Sequence, residues 1–200
     1  MSNLHERPGV YSVYDASSVV TGRRAAQAVG VAAKAAKGEA DKPVTVTGWA
    51  AGAAVFGEDE TPGMSTILRL LFENGASTVT AVRVAEAGTV EDYRRAFAAL
   101  GKEDVRVLVC DSGEEAVQQA LRDAVEEASA LRHERVAVTG CAGADVQALV
   151  ERAAALNSER MVLVGPDALD SAGTPLSGVF AAAAVAALAA AGGDPAVPLN

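Results

Sequence analysis

Residues 105–131, VRVLVCDSGEEAVQQALRDAVEEASAL, contain the pattern that decides the fold class. The run 105–110 is almost continuously apolar, which is typical of a strand that is buried on both faces of a sheet. Residues 112–115, Ser-Gly-Glu-Glu, have the spacing of a capping box and predict the start of a helix. Apolar residues at helical spacing continue this helix to about residue 132. The stretch is therefore a strand followed directly by an amphipathic helix.

The same alternation of strand and helix extends along the chain in both directions. Strands are predicted at 44–47, 78–84, 135–139 and 160–164, and helices at 62–73, 90–100, 145–156 and 177–191. The apolar run 161–164 suits a strand buried on both faces, like 107–109. Residues 25–36 fit either a strand or a helix. This order of elements predicts an α/β domain in which a layered parallel or mixed sheet is covered by helices.

Local turn signals set the ends of the helix predicted at 62–73. Thr61 is expected to cap its start, and Pro62 suits the first helical position. Asn74-Gly75 predicts a left-handed residue at its end.

Composition excludes several function classes. The 200 residues include 17 basic and 26 acidic side chains, a net charge of −9, so no nucleic-acid partner is expected. Two cysteines cannot build a disulfide framework, and the amino terminus does not have the pattern of a signal peptide. The longest uncharged apolar run, 179–191, is too short to cross a bilayer, so no membrane insertion is expected.

Several polar residues follow predicted strands, at the edge of the sheet where α/β proteins bind ligands. They are Asp111, Ser112, residues 139–145, Asp167 and Asp170. Carboxylates at adjacent strand ends could hold Mg²⁺, but Asp and Ser at such turns also cap helices. Because no Lys or Arg follows where it would clamp a phosphate, capping is the favoured interpretation.

Other possible catalytic patterns are incomplete. Residues 139–143, Thr-Gly-Cys-Ala-Gly, lack the third glycine of a dinucleotide-binding loop, which favours a tight turn. Cys110 and Cys141 could form a metal or redox pair, although neither lies in a C-x-x-C motif and half-buried thiols are the favoured interpretation. His5 and His133 complete no metal set, and no G-x-S-x-G motif is present. No catalytic residue, metal ligand or cofactor is assigned.

Residues 1–22 differ from the rest and predict an extended amino-terminal arm before an α/β domain at 23–200. A Pro-Gly turn signal in this arm is followed by a segment rich in Val and Tyr, which favour an extended strand. These residues are Pro8, Gly9, Val10, Tyr11, Val13 and Tyr14. Such a strand either joins its own sheet or adds to the sheet edge of another subunit, and the pattern alone favours its own sheet.

Four short sequence motifs are each weak evidence for a family, but their combined order and spacing is more specific. They are ERPGVY at 6–11, LFENGA at 71–76 followed by VRV at 82–84, a strand running into Gly-Pro at 160–166, and PLSG at 175–178 with PAVPLN at 195–200. Their order and spacing resemble the phage tail sheath family, the contractile outer tubes of phage tails and related injection particles. The resemblance is strongest to the short sheath proteins of Gram-positive prophages and bacteriocin-like particles.

The resemblance has departures. Ala76 stands where the family has a second glycine, and alanines at 181–184 replace the Ala-Gly and Arg that family members often carry. Sheath proteins continue beyond the position of Asn200 into a carboxy-terminal domain that faces the tube. The sequence is therefore expected to correspond to the amino-terminal portion of a sheath protein, without that domain.

The resemblance implies a structural protein rather than an enzyme. Its partners would be other sheath subunits and the tail tube protein, in a phage tail or phage-tail-like particle assembled in the bacterial cytoplasm. The arm residues Pro8–Tyr14 would then form a subunit contact, which reverses the preference from pattern alone. The rival hypothesis is a small α/β nucleotide- or metal-binding enzyme with its site at the carboxyl ends of the strands.

Overall fold

A six-stranded mixed sheet forms the centre of the protein, in the strand order β2-β3-β1-β4-β5-β6. The structure, a computed structural model, describes residues 27–58, 61–143, 145–169 and 173–191. The strands are β1 (Val29–Ala33), β2 (Pro43–Val46), β3 (Val79–Arg83), β4 (Val107–Cys110), β5 (Val136–Gly140) and β6 (Met161–Val164). Five of these strands are parallel, and β2 pairs antiparallel with β3 at one edge. The predicted α/β fold class is confirmed.

Helices cover both faces of this sheet. They are α1 (Trp49–Phe56), α2 (Met64–Glu73), α3 (Val90–Leu100), α4 (Glu115–Ala130), α5 (Val146–Leu156) and α6 (Gly178–Ala191). One apolar core joins one face of the sheet to α1, α2 and α6, and a second joins the other face to α3 and α4. Helix α5 packs beside α4 and against β6.

The ambiguous segment 25–36 contains β1, one of the two central strands of the six-stranded sheet. All five residues of β1 are buried, since it lies between β3 and β4. Val29, Val31 and Ala33 face the core under α2 and α6, whereas Ala32 faces the opposite core. This alternation is the strand pattern that the sequence contained.

The sequence predicted that the apolar runs 107–109 and 161–164 form fully buried strands, which is right for the first run and wrong for the second. Strand β4 is buried throughout, as expected for a strand with neighbours on both sides. Strand β6 is only partly buried, and Val162 is 41% exposed. The reason is topological, because β6 is the outermost strand and has a neighbouring strand only on the β5 side.

Two predicted helix caps are also wrong. Helix α2 begins at Met64 after Gly63, without a side-chain cap, so Thr61 and Pro62 lie before the helix. Helix α4 begins after Glu114, also without a side-chain cap. The Ser112 hydroxyl instead accepts a hydrogen bond from the Glu114 N–H at 3.2 Å within the preceding turn.

The end of α2 agrees with the sequence prediction, whereas the cap of α3 and three short elements were not predicted. Gly75 has a φ of +95°, which confirms the left-handed end of α2. A capping box that the sequence analysis did not find joins Thr89 and Asp92 at the start of α3. Helix α1 and the small hairpin of β7 (Ala168–Leu169) and β8 (Pro175–Leu176) were also missed.

The start of α6 lies directly on the end of β5. A Cβ atom added to Gly140 would lie 2.0 Å from the carbonyl oxygen of Gly178, and one added to Gly178 would lie 2.3 Å from that of Cys141. Both contacts are with backbone atoms, so side-chain rotation could not relieve them. The two glycines therefore allow α6 to approach the sheet closely.

None of the helices among the described residues combines the length and apolarity needed to cross a membrane. The predicted arm at 1–22 lies outside the described residues, so its boundary with the α/β domain stays a prediction.

Candidate functional site

The order of the parallel strands creates a crevice at the carboxyl ends of β1 and β4. The chain passes from β1 to β3 on one side of β1 and from β3 to β4 on the other, which is where open α/β sheets bind ligands. A pocket of about 670 Å³ lies there. Its charged lining residues are Lys34, Glu58, Arg83, Glu86 and Asp111.

Asp111 is the half-buried carboxylate of this crevice, and both of its oxygens accept hydrogen bonds from the protein. The Lys34 backbone N–H donates to Oδ2 at 2.9 Å, and the Tyr93 hydroxyl donates to Oδ1 at 2.6 Å. Burial raises the pKa of Asp111 above its usual value. Burial, followed by the charge of Asp111, also raises the pKa of Tyr93. Asp111 thus joins the ends of β1 and β4 to α3.

Arg83 uses its guanidinium to hold the backbone that follows β1. Its Nε donates to the Ala35 carbonyl and its Nη1 to the Gly38 carbonyl, both at 3.0 Å. A cation near a pocket can bind an anionic ligand, but these two donors already have backbone acceptors.

The carboxylates that follow β5 and β6 accept hydrogen bonds from backbone N–H groups. Asp145 caps α5 by accepting from the Ala148 N–H at 2.8 Å. Asp167 Oδ1 accepts from the Gly143 N–H at 3.0 Å and the Gly178 N–H at 2.9 Å. These bonds, with the one from Gly178 the larger cause, lower the pKa of Asp167. Both residues agree with the favoured capping interpretation.

The candidate metal ligands can be assessed only where the structure describes them. Within the parts of the chain that the structure describes, no group of three or more His, Cys, Asp or Glu side chains is placed to hold a metal ion. Asp170 and His5 lie outside these parts. The 139–143 segment is the end of β5 followed by a tight turn, in which Gly143 has a φ of +55°.

Both cysteines are free thiols, and both are buried rather than half-buried as the sequence predicted. Cys110 Sγ donates to the Ser112 carbonyl at 3.6 Å, and burial raises the pKa of this thiol to about 12. Cys141 Sγ lies 4.0 Å from the Nε2 of the buried Gln118 side chain. A buried thiol with a raised pKa stays protonated near neutral pH and is a poor nucleophile.

Solved structures with this arrangement include a sheath tail protein from Desulfitobacterium hafniense. The likeness has a TM-score of 0.65 at 12% sequence identity and covers 92% of this chain and 62% of that one. The chain has the fold of tail sheath proteins. A sheath tail protein from Listeria innocua is also similar, with a TM-score of 0.62 at 12% identity over 85% of this chain and 57% of that one.

A third similar structure is the helical sheath of the anti-feeding prophage in its contracted state. Its TM-score is 0.58 at 18% identity, over 92% of this chain and 52% of that one. The chain therefore spans about half to three-fifths of the length of these sheath proteins. No protein-family model and no curated protein sequence matches the chain.

The arm residues predicted as a subunit contact lie outside the described residues of this sheath fold. They are Pro8, Gly9, Val10, Tyr11, Val13 and Tyr14, and their role stays a prediction.

The sheath fold also carries exposed apolar side chains at both edges of its sheet, which the sequence analysis missed. Trp49 and Val55 on α1 are 38% and 36% exposed, and Val146 and Val150 on α5 are 74% and 57% exposed. On α5 the signal was available, because Val146 and Val150 are four residues apart on a helix whose only buried residue is Leu156.

Proposed function

We propose that the protein is a structural subunit of a contractile tail sheath. Copies would assemble helically around a tail tube, and shortening of the assembly would drive the tube through a cell envelope. The observation that carries this proposal is the sheath fold, found over 92% of the chain and at up to 18% identity in an assembled, contracted helical sheath. The four sequence stretches that resemble the sheath family support it independently.

The chemistry of the crevice agrees with a structural role. Asp111 and Arg83 in the crevice bond to backbone groups 77 and 48 positions away in the sequence, and Asp167, which follows β6, bonds to the backbone N–H of Gly178. Such bonds hold the ends of strands and helices in fixed positions, which favours a body that moves as a unit. Contraction of a helical assembly is a rigid-body rearrangement in which contacts between subunits change and the interior of each subunit is retained.

Other copies of the chain and the tail tube protein are the proposed partners. Heterologous contacts between identical subunits generate helical assemblies when the rotation between them does not close. The arm at 1–22 would contribute one such contact, since an extended segment can add a strand to the sheet of a neighbour. The proposed location is the tail of a phage or phage-tail-like particle that is assembled in the bacterial cytoplasm.

Immunoelectron microscopy tests the proposal directly. Antibodies raised against the chain would be applied to particles released from the induced source bacterium, with preimmune serum as the control. We expect label repeated along the outer wall of contractile tails. Unlabelled tails, with the antigen left in the soluble fraction, would overturn the proposal.

A second candidate function is favoured by one observation, the pocket of about 670 Å³ at the switch point of the sheet. This candidate is a small α/β nucleotide- or metal-binding enzyme. Thermal unfolding with nucleotides and Mg²⁺ tests it, because a ligand at 100 times its dissociation constant adds about 2.7 kcal/mol to the stability of the folded state. An unchanged transition with every nucleotide, with and without Mg²⁺, would reject it.

A further inference from the structure

Helix α5 is attached to the rest of the protein through very few side chains. Of its 11 residues only Leu156 is buried, whereas α3 buries five residues and α4 buries six. Leu149 and Arg152 are half-buried, and the other eight residues are exposed. Leu149, Arg152 and Leu156 recur at helical spacing and form the α5 stripe, which faces the body.

Neither of the two apolar cores includes a residue of α5. The sheet also keeps its pairing without this helix, since β6 pairs with β5 along its whole length and α6 packs against both strands. Burial of apolar surface is the main favourable contribution to folding. A helix that lies outside both cores therefore adds little to the stability of the body, and the body adds little to the stability of that helix.

A cavity lies between α5 and the body. Its volume is about 310 Å³, and Ala148 and Arg152 line it from α5. The body residues that line it include Cys141, in the turn after β5. Side chains that border a cavity have fewer packing partners on that side. The first half of the helix is therefore held by one apolar member of the α5 stripe, Leu149, which packs against Gly165.

The central member of the α5 stripe is a charged residue, Arg152. Its Nη1 donates to the Gly113 carbonyl at 3.0 Å and to Gln118 Oε1 at 2.8 Å, and its Nε lies 3.6 Å from a carboxylate oxygen of Glu115. Gln118 is completely buried, and its Nε2 donates to the Gly140 carbonyl at 2.9 Å. Arg152 thus joins α5 to the end of β5 through one polar chain. Water can replace the bonds of Arg152 when the helix moves away, so their net contribution to its attachment is modest.

We infer that α5 detaches from the body as an independent unit while the sheet and helices α3, α4 and α6 stay folded. Regions with few buried apolar contacts open locally at a lower free energy than the whole domain. An isolated helix of this length is only marginally stable in water, so α5 loses its backbone hydrogen bonds when it detaches. The opening uncovers one face of β6 and the cavity beside Cys141. This motion goes beyond the proposed sheath function and does not depend on it.

Hydrogen–deuterium exchange of the full chain, read by mass spectrometry, tests the inference in the wild-type protein. We expect the backbone amides of residues 150–156 to exchange at least about tenfold faster than those of α3 and α4, after correction for intrinsic rates. Low concentrations of urea should leave the α5 rate nearly unchanged, because the local opening exposes little surface, whereas the rates in α3 and α4 should rise steeply. Equal rates with the same urea dependence in the three helices would overturn the inference.

The variant Arg152→Met tests the polar part of the attachment. It removes the bonds to Gly113 and Gln118, so the amides of α5 should exchange several-fold faster while those of α3 keep their rates. The matched control is Arg69→Met on α2, which removes an exposed ion pair with Glu73 and should change the exchange of neither helix. An equal acceleration in α3 and α5 would overturn the inference, because Arg152 would then support the whole body. Loss of the folded state in Arg152→Met would overturn it for the same reason.

Discussion

The backbone N–H of Gln27 donates a hydrogen bond to the carbonyl oxygen of Ala190, with 3.1 Å between the two atoms. Gln27 precedes the central strand β1, and Ala190 lies in the last turn of α6. The described body thus begins and ends at one point, at the edge of the sheet opposite the crevice. Neighbouring ends are common in protein domains. The bond therefore joins the first described strand to the last described helix on the side of the sheet away from the crevice.

Replacing Thr89 with Ala should destabilise the protein by about 1 kcal/mol, because it removes the cap of α3. The Thr89 hydroxyl accepts from the Asp92 N–H at 3.3 Å, and the Asp92 carboxylate accepts from the Thr89 N–H at 2.8 Å. Urea unfolding measures the change. Ser112→Ala is the matched control, since Ser112 caps no helix and should cost less than about 0.5 kcal/mol. Equal losses for the two variants would contradict the assignment, and Thr89→Ser should restore most of the stability.

Gly140→Ala should destabilise the fold by more than about 3 kcal/mol, because the added methyl group meets backbone that cannot rotate away. The obstructing atom is the Gly178 carbonyl oxygen, 2.0 Å from the added Cβ. Gly48→Ala is the control, since nothing lies within 4 Å of a Cβ there. Urea unfolding of both variants gives the comparison. A loss below about 1 kcal/mol at Gly140 would show that α6 can move off the sheet at little cost.

Arg135 should be among the most sensitive charged residues of the body. It is 4% exposed, and its guanidinium donates to the carbonyls of Leu100, Gly101 and Glu103 at 3.0, 3.0 and 2.7 Å. Arg135→Met leaves these carbonyls without their donor and should cost about 2–3 kcal/mol. Denaturant unfolding measures the loss. Arg94→Ala, which removes an exposed ion pair with Glu91, should cost less than about 0.5 kcal/mol. Losses of similar size would mean that Arg135 contributes only as a surface charge.

The stabilising effect of Asp167 should depend on pH in acid. Its folded pKa is lowered from 3.8 by the N–H groups of Gly178 and Gly143, so the ionised carboxylate favours the folded state. This stability is present above the unfolded pKa and is lost as pH falls through the folded pKa. The difference in urea midpoint between the wild type and Asp167→Asn should therefore shrink below pH 3.8. Asp104→Asn controls for the loss of one negative charge, and a difference that stays constant with pH would refute the account.

Much of the sheet could be predicted because most of its strands coincide with short runs of apolar or β-branched residues. The apolar run 105–110 contains β4, and the β-branched run 78–84 contains β3, since a strand between covered faces needs apolar residues throughout. The same rule failed for β6, because a short apolar run does not state whether a strand has one neighbour or two. Helix α1 was missed for a related reason, since WAAGAAVF has no polar residue and hence no helical periodicity.

The site could be predicted less well, because its bonds join residues far apart in sequence. Asp111 was correctly placed at a strand end, but its partner Lys34 is 77 positions away. Asp167 was a predicted cap, yet it bonds both the start of α6 and the turn at Gly143. Ser112 has the local spacing of a capping box, but its hydroxyl accepts a hydrogen bond from the Glu114 N–H in the turn after β4 and does not cap the helix. Local spacing shows which groups can bond, and tertiary geometry chooses among them.

Deleting residues 1–16 should leave the body folded and prevent assembly of the complete sheath. The body keeps its cores, which are built from β1 onward, so its circular dichroism and thermal transition should change little. Assembly should fail because Val10, Tyr11, Val13 and Tyr14, which form the proposed subunit contact, would be absent. Deleting only residues 2–6, which keeps these four side chains, is the matched control. The measurement is negative-stain microscopy of particles from the source bacterium with each deletion introduced, and tails of normal length and wall from the longer deletion would refute the role of the arm.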